Sequence, residues 1–377
     1  MLQLHSIGFP CARHEAAEVR EFKPTLLAFL AQFPLDRVVL EEAYGARLGI
    51  APEAYDAAFP GVSRGTREAA FAQDLVVVLR CPVEADLRRL RRGAVLLSML
   101  HFPTRPGRVA LMEELGVTGV ALDQIADDLD RRLVENLEAV GTNGIRVGME
   151  TLASLWPPFR SPQRGPLRVT VLGAGAVGSW AMRAAVRYGD DEVRAQLREA
   201  GVPGVQVTVL DVELTRDAAV LEETLRQTDL LVDATLRAKP SVPVVRNAQL
   251  AHLPAHAVIV DLSVDPIDLS RTPPLVKAVE GIPQGNLDRY VFAPGDPAWD
   301  ALDPREPHAV RRTVVSCYSW PGIRPVECMT VYGKQLEPIV RALLERGPAG
   351  LPSTGGAWAE RATARGLHRR WLPGATA

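Results

Sequence analysis

LRVTVLGAGAVGSWAMRAA (Leu167–Ala185) decides the fold of this chain. The apolar run Val169–Leu172 reads as a buried parallel strand, and Gly173, Gly175 and Gly178 form a G-x-G-x-x-G turn into a helix. In that pattern the first glycine permits a tight turn, the second lets backbone approach a pyrophosphate, and the third lets the helix pack closely on the strand. The N–H groups of Ala176, Val177 and Gly178 would then face two phosphates at a helix start, helped by the helix dipole. A second strand, VQVTVL (Val205–Leu210), ends in Asp211. A carboxylate there suits both ribose hydroxyls of NAD and repels the 2′-phosphate of NADP, so NAD is the expected cofactor. Asp211 lies further on than the roughly 20 residues of the simplest pattern. The charged segment Tyr188–Gly204 accounts for the excess by lengthening the helix or its loop.

Working outward, 377 residues suffice for two domains, each with its own core. Hydrophobic residues make up 47% and charged residues 23%, as in ordinary globular proteins. A formal net charge of -2 gives no electrostatic reason to expect nucleic acid or an acidic membrane as partner. Cys11, Cys81, Cys317 and Cys328 lack metal-ligand spacing, so no metal site is expected and the thiols read as reduced. No stretch approaches a membrane span and the N-terminus lacks a signal-peptide core, so the expected location is cytoplasmic. Oligomeric state is open, a homo-oligomer being possible.

Residues 1–150 alternate strand-like and helix-like runs. Strands are expected at Val38–Leu40, Leu75–Leu79, Ala94–Leu100 and Val117–Leu122, with helices at Lys23–Phe33, Ala85–Arg91 and Arg108–Leu115. A helical stretch follows from Ala126 to Leu155, and the Pro- and Arg-rich Trp156–Pro166 reads as a linker or hinge for domain closure. TDLLVDA (Thr228–Ala234) and AVIVDL (Ala257–Leu262) are the later strands of the nucleotide domain. Gly281–Arg312 reads as a connecting loop, and Glu327–Arg346 as an amphipathic helix returning to the first domain. The expected fold is α/β, with two Rossmann-like domains. A doubly wound parallel-sheet NAD domain (167–305) is inserted in a discontinuous substrate domain (1–150, completed by about 306–346). A loop-like tail covers 347–377.

Five further stretches make the chain resemble the family of alanine dehydrogenase and the lysine-forming saccharopine dehydrogenase, over roughly residues 10–345. DLVVVLRCP (Asp74–Pro82) is similar to the family's strand ending in Lys-Pro, and LLSMLHFPTRPG (Leu96–Gly107) to its strand ending in a catalytic His. AVIVDLSVDP (Ala257–Pro266) resembles its V-D-x-x-x-D segment. ATLRAKPSVPVV (Ala234–Val245) and SCYSWPGIRPVECM (Ser316–Met329) are nearer to saccharopine dehydrogenase, the second resembling a D-x-L-P-x-x-L-P-x-E motif with Tyr318 in place of the aspartate.

The resemblance implies a dehydrogenase acting on a C–N bond of a carboxylated amine, by imine reduction or oxidative deamination, with amino-acid and 2-oxo acid substrates. It places His101 on the catalytic histidine, Arg80 on a catalytic or carboxylate-binding lysine, and Asp265 on an aspartate beside the nicotinamide. Arg20 falls near the carboxylate-binding arginine and Asp123 on an acidic substrate residue. Arginine does not lose its proton in a protein, so Arg80 is expected to bind a carboxylate rather than act as a base. Histidine titrates near neutrality, which makes His101 the proton shuttle. Lys239 is a candidate for the adenosine ribose or phosphate, and Tyr318 and Trp320 for closing the substrate pocket. Each has a plainer reading: a loop-end histidine, surface arginines, an N-capping aspartate, a solvated lysine, aromatics that pack. Two other outcomes use the same residues: a lyase or cyclodeaminase that recycles tightly held NAD, and a nucleotide-binding protein without catalysis.

Overall fold

A computed structural model describes residues 4–237 and 239–372. The chain forms two compact units, one running to Asn136 and resuming at Arg324, the other spanning Leu137–Ile323. The inserted-domain arrangement is therefore present, with boundaries that differ from those expected.

The first unit is built on strands β1 (Ser6–Phe9), β2 (Arg37–Glu41), β3 (Ser63–Gly65), β4 (Leu75–Arg80), β5 (Val95–Met99) and β6 (Thr118–Ala121). They pair in the order β3-β2-β1-β4-β5-β6, every neighbour parallel. Leu75–Leu79 are all buried because helices cover both faces of a parallel sheet. One face carries Phe9, Leu27, Val77 and Leu97 with Leu336 and Leu343 of the returning helix, Pro325–Arg346. The other carries Val76, Val78, Leu96 and Met112. The topological switch lies between β1 and β4, where doubly wound sheets usually bind ligands.

The second unit contains β7 (Leu167–Leu172), β8 (Val205–Leu210), β9 (Leu230–Asp233), β10 (Val258–Asp261), β11 (Val291–Phe292) and β12 (Thr313–Ser316). Their order is β11-β12-β10-β9-β7-β8, parallel except for β11 at the edge. The switch point falls between β7 and β9, and apolar side chains fill both faces of the sheet.

The departures have physical causes. The helix Leu137–Leu155 belongs to the second unit, because Gly141, Gly144 and Gly148 let it approach that unit's own atoms. A Cβ at Gly144 would lie 2.1 Å from Leu262, and one at Gly148 would lie 2.5 Å from Val260. The expected helix from Ala126 begins only at Leu137. Trp156–Pro166 is no hinge: Trp156 stacks on His256 at 4.6 Å, and Phe159 and Arg164 are buried inside the same unit. The stretch expected as the lead back to the first domain, 306–323, supplies β12 to the second sheet. Tyr188–Gly204 holds a separate helix, Asp191–Glu199, capped by the Asp190 carboxylate. The tail is not loop-like throughout: Trp358–Arg365 is helical and packs in the first unit, while residues 373–377 lie outside the described residues.

Candidate active site

In the second unit the glycine turn has the expected construction. Gly173 adopts φ +93, and a Cβ there would meet Ala234 O at 2.8 Å. At Gly178 a Cβ would lie 2.1 Å from Gly173 O, so only glycine lets the helix start this close to the strand. A Cβ at Gly175 would meet nothing within 4 Å. That glycine caps the helix Ala176–Ala185, whose first N–H groups, on Ala176, Val177 and Gly178, have no carbonyl partner within the helix. The Gly173 N–H donates to Leu210 O at 2.9 Å, which sets exposed Asp211 beside the turn. Asp211 Oδ1 accepts from the Leu214 N–H at 3.0 Å and caps the next helix, leaving Oδ2 for a ribose. Open space above a glycine, unpaired N–H groups and a carboxylate at the neighbouring strand end fit a dinucleotide.

Around the ends of β9 and β10 the loops are tied by two buried carboxyl groups from adjacent positions, Asp233 and Asp261. Asp261 accepts from Lys277 Nζ at 3.0 Å, Ser316 Oγ at 2.9 Å and the Val264 N–H at 2.8 Å. Burial works to raise its pKa, but the Lys277 charge and these bonds outweigh it and hold Asp261 below the usual range. Asp233 accepts from Thr235 and from Ser263 Oγ. Burial and then the Asp261 charge push it up to about 6. Sequence reasoning missed this pair, although both residues end quoted strands.

Asp265 follows Val264, whose φ of +48 is rare for a β-branched residue and marks a strained loop. Its carboxylate is held by Arg237 NH2 at 2.6 Å, and Arg237 also reaches Val276 O and Val242 O. Lys239 is exposed, its neighbour Ala238 lying outside the described residues. Trp320 is not a pocket wall: it is buried, donates Nε1–H to Asp261 O at 2.9 Å, and accepts from Asn143 through its own carbonyl. Tyr318 is 42% exposed, and its N–H donates to Gly285 O.

In the first unit the two expected carboxylate clamps face the chain's own groups. Arg80, at the end of β4, donates to Glu15 Oε1 at 2.5 Å and Glu18 Oε1 at 3.0 Å. Buried Arg20 reaches Cys328 Sγ at 2.9 Å and lies 3.6 Å from Glu18. Beside them, Glu41 pairs with Arg13 and Arg67, and Arg67 with Asp86. The space left among Arg13, Arg67, Arg80 and Asp86 is only about 10 Å³. Ion pairs thus fill the crevice at the switch point of the first sheet. Cys11 in this cluster is pushed up to about 12 by burial and by Glu41 and Glu21, so it is no ready nucleophile.

His101 lies just past β5 with φ +50, a left-handed conformation uncommon for a non-glycine residue. Buried Asp123 holds it there: Oδ1 accepts the His101 N–H at 2.9 Å, and Oδ2 lies 3.5 Å from Nδ1. Asp123 Oδ2 also accepts from Gln124 at 2.6 Å, and Asp123 lines the same pocket as His101. Partial desolvation lowers the His101 pKa; Asp123 opposes it, and Arg108, Arg132 and Arg105 add to it. The side chain keeps 55% of its surface open, so the ring is reachable. It opens on a pocket of about 610 Å³.

Residues 24–140 match the family model described as alanine dehydrogenase/PNT, N-terminal domain, and residues 161–266 match that for the C-terminal domain. Alanine dehydrogenase of Bacillus subtilis (strain 168) is 25% identical over 61% of this chain and 63% of its own length. The NAD(P) transhydrogenase subunit alpha of Cereibacter sphaeroides is 28% identical over 56% of this chain and 40% of its own. The match thus spans less than two thirds of these relatives. Among solved structures, an L-alanine dehydrogenase superposes with a TM-score of 0.68 at 19% identity, covering 97% of this chain and 96% of that one.

Proposed function

The chain belongs to the alanine dehydrogenase/PNT family, and from that premise we propose that it is an NAD-dependent amino-acid dehydrogenase. It acts on the C–N bond of a carboxylated amine, by oxidative deamination or by reduction of an imine formed with a 2-oxo acid. The observation that carries this reading is His101, strained, solvent-reachable and anchored by Asp123 at the C-terminal end of β5.

The second unit's part is binding. Ala176, Val177 and Gly178 would offer N–H groups to the pyrophosphate, Gly175 would leave room for it, and Asp211 would accept from the adenosine ribose. NAD, when bound, supplies or accepts the hydride. Arg237 holds Asp265 in one orientation, which suits a carboxylate that positions the nicotinamide end rather than one that moves protons.

The first unit's part is proton transfer. With its pKa lowered, His101 is neutral at pH 7 and takes a proton from the amine or from water, returning it in the reverse direction. Asp123 near Nδ1 steadies the ring and leaves Nε2 for this exchange. Arg80 and Arg20, engaged by Glu15 and Glu18, shape the neighbouring loop and are not assigned a substrate carboxylate.

The test follows absorbance at 340 nm with NADH, amines and 2-oxo acids. Consumption that needs both partners supports the reading. His101→Ala should lower turnover by about 10²–10⁴-fold with NADH affinity unchanged. Wild-type rates in that variant would remove the histidine from the chemistry, and NAD that copurifies without NADH consumption would favour the NAD-recycling lyase.

A further inference from the structure

The pocket beside His101 lies wholly within the first unit. Its lining includes Asp130, Arg132, Arg365, Arg370 and Trp371. The last three come from the C-terminal helix and the turn after it, beyond both matched family segments. With about 610 Å³ the pocket is within the range of sites for ligands well above the size of a three-carbon acid.

The charges sort themselves. Arg365 is committed to Asp128 at 2.6 Å and to Ala126 O at 2.9 Å. Asp123 is committed to the His101 N–H and Gln124. Arg132 makes a single side-chain bond, to Val134 O at 3.3 Å, and Arg370 makes no ion pair among the described residues. These two exposed guanidiniums keep the donor forks that Arg80 and Arg20 have turned toward Glu15, Glu18 and Cys328. Asp130, in a left-handed turn, is a lining carboxylate with no cationic partner among the described residues. Trp371, 38% exposed, adds a flat apolar face.

Resting on the dehydrogenase reading, we infer that this pocket selects an amino acid and 2-oxo acid pair with a planar, apolar side chain. The substrate carboxylate is bound by Arg132 and Arg370, the ammonium of the amino form faces Asp130, and the side chain lies against the Trp371 indole. A planar guanidinium fork matches a carboxylate, and an indole face favours a second flat ring over a methyl group.

Calorimetry of the full chain with phenylpyruvate and with pyruvate, with and without NAD, tests this. Phenylpyruvate should bind at least about tenfold more tightly. Trp371→Ala should erase most of that preference, whereas Arg370→Gln should weaken both ligands by about tenfold and keep the preference. Equal affinities in the wild-type protein, or a preference unmoved in Trp371→Ala, would overturn the assignment. Arg370→Gln provides a second reading should the tryptophan variant fold poorly. NADH binding in the same samples separates the two claims. A phenylpyruvate preference without NADH binding supports the pocket and removes the dehydrogenase reading. NADH binding with ligand affinities indifferent to Trp371 and Arg370 does the reverse.

Discussion

Asp123 acts on His101 through position and charge together. Its negative charge favours protonated histidine, against desolvation and three arginines. Removing it with Asp123→Asn should therefore move the acid limb of the pH–rate profile to lower pH while also loosening the ring, seen as a fall in kcat larger than any change in KM. A profile identical to wild type would mean that His101 does not titrate in turnover. In the wild-type protein the sign is set by the lowered pKa: activity in the deamination direction should be lost as pH falls through a value below 6.5. Asp211 calls for a substitution that spares its cap. Asp211→Ser can still accept from the Leu214 N–H but carries no charge, so NAD should weaken and NADP improve relative to it. An unchanged preference, measured by competitive binding of the two nucleotides, would show that another residue reads the ribose. His101, Asp123 and Asp211 stand out in the sequence as candidates, but the bond from the His101 N–H to Asp123 does not. What was not legible was the commitment of Arg80 to Glu15 and Glu18 and of Arg20 to Cys328, because partners distant along the chain are chosen only when the elements that carry them meet.

At the scale of elements, the turn from β7 into its helix separates packing from binding within a few residues. Gly178→Ala places a methyl 2.1 Å from Gly173 O, so strand and helix must part, costing about 1–3 kcal/mol by the usual measure of overpacking. Gly175→Ala meets no atom within 4 Å and should leave the melting temperature nearly unchanged while weakening NADH, since its methyl occupies the cradle. Equal effects of the two variants on stability, measured by thermal unfolding, would contradict this division. The helix Leu137–Leu155 makes the same point about close approach. Its glycines were visible as letters, but the surface they fit, Val260 and Leu262, is assembled from a distant strand.

Across the molecule, the second unit carries a pH-dependent term in its stability. Folded Asp233 holds a proton up to about pH 6, whereas an unfolded aspartate releases it near its ordinary value of 3.8. Between those values the unfolded chain binds fewer protons, so this group's contribution falls as pH rises and then stays constant above about pH 6. Asp261 works the opposite way at lower pH, losing its Lys277 pairing as it protonates. Asp233→Asn, which cannot ionise, should therefore be stabilised relative to wild type at pH 8 and not at pH 4, by up to about 3 kcal/mol. Denaturant unfolding at the two pH values measures it, and a difference independent of pH would show that Asp233 stays charged.

The sequence by itself determined the two-sheet α/β architecture, the inserted nucleotide unit and the family. Apolar runs bounded by glycines and prolines are local signals, and the order of strand, glycine turn and acid leaves few topologies open. Only the tertiary structure decided where the units divide, which cations are spent on internal carboxylates, and that the C-terminal segment joins His101 around one pocket. Those outcomes depend on close packing and charge pairing between residues far apart along the chain, 65 positions for Arg80 and Glu15 and 239 for Arg365 and Ala126, and periodicity does not carry that information.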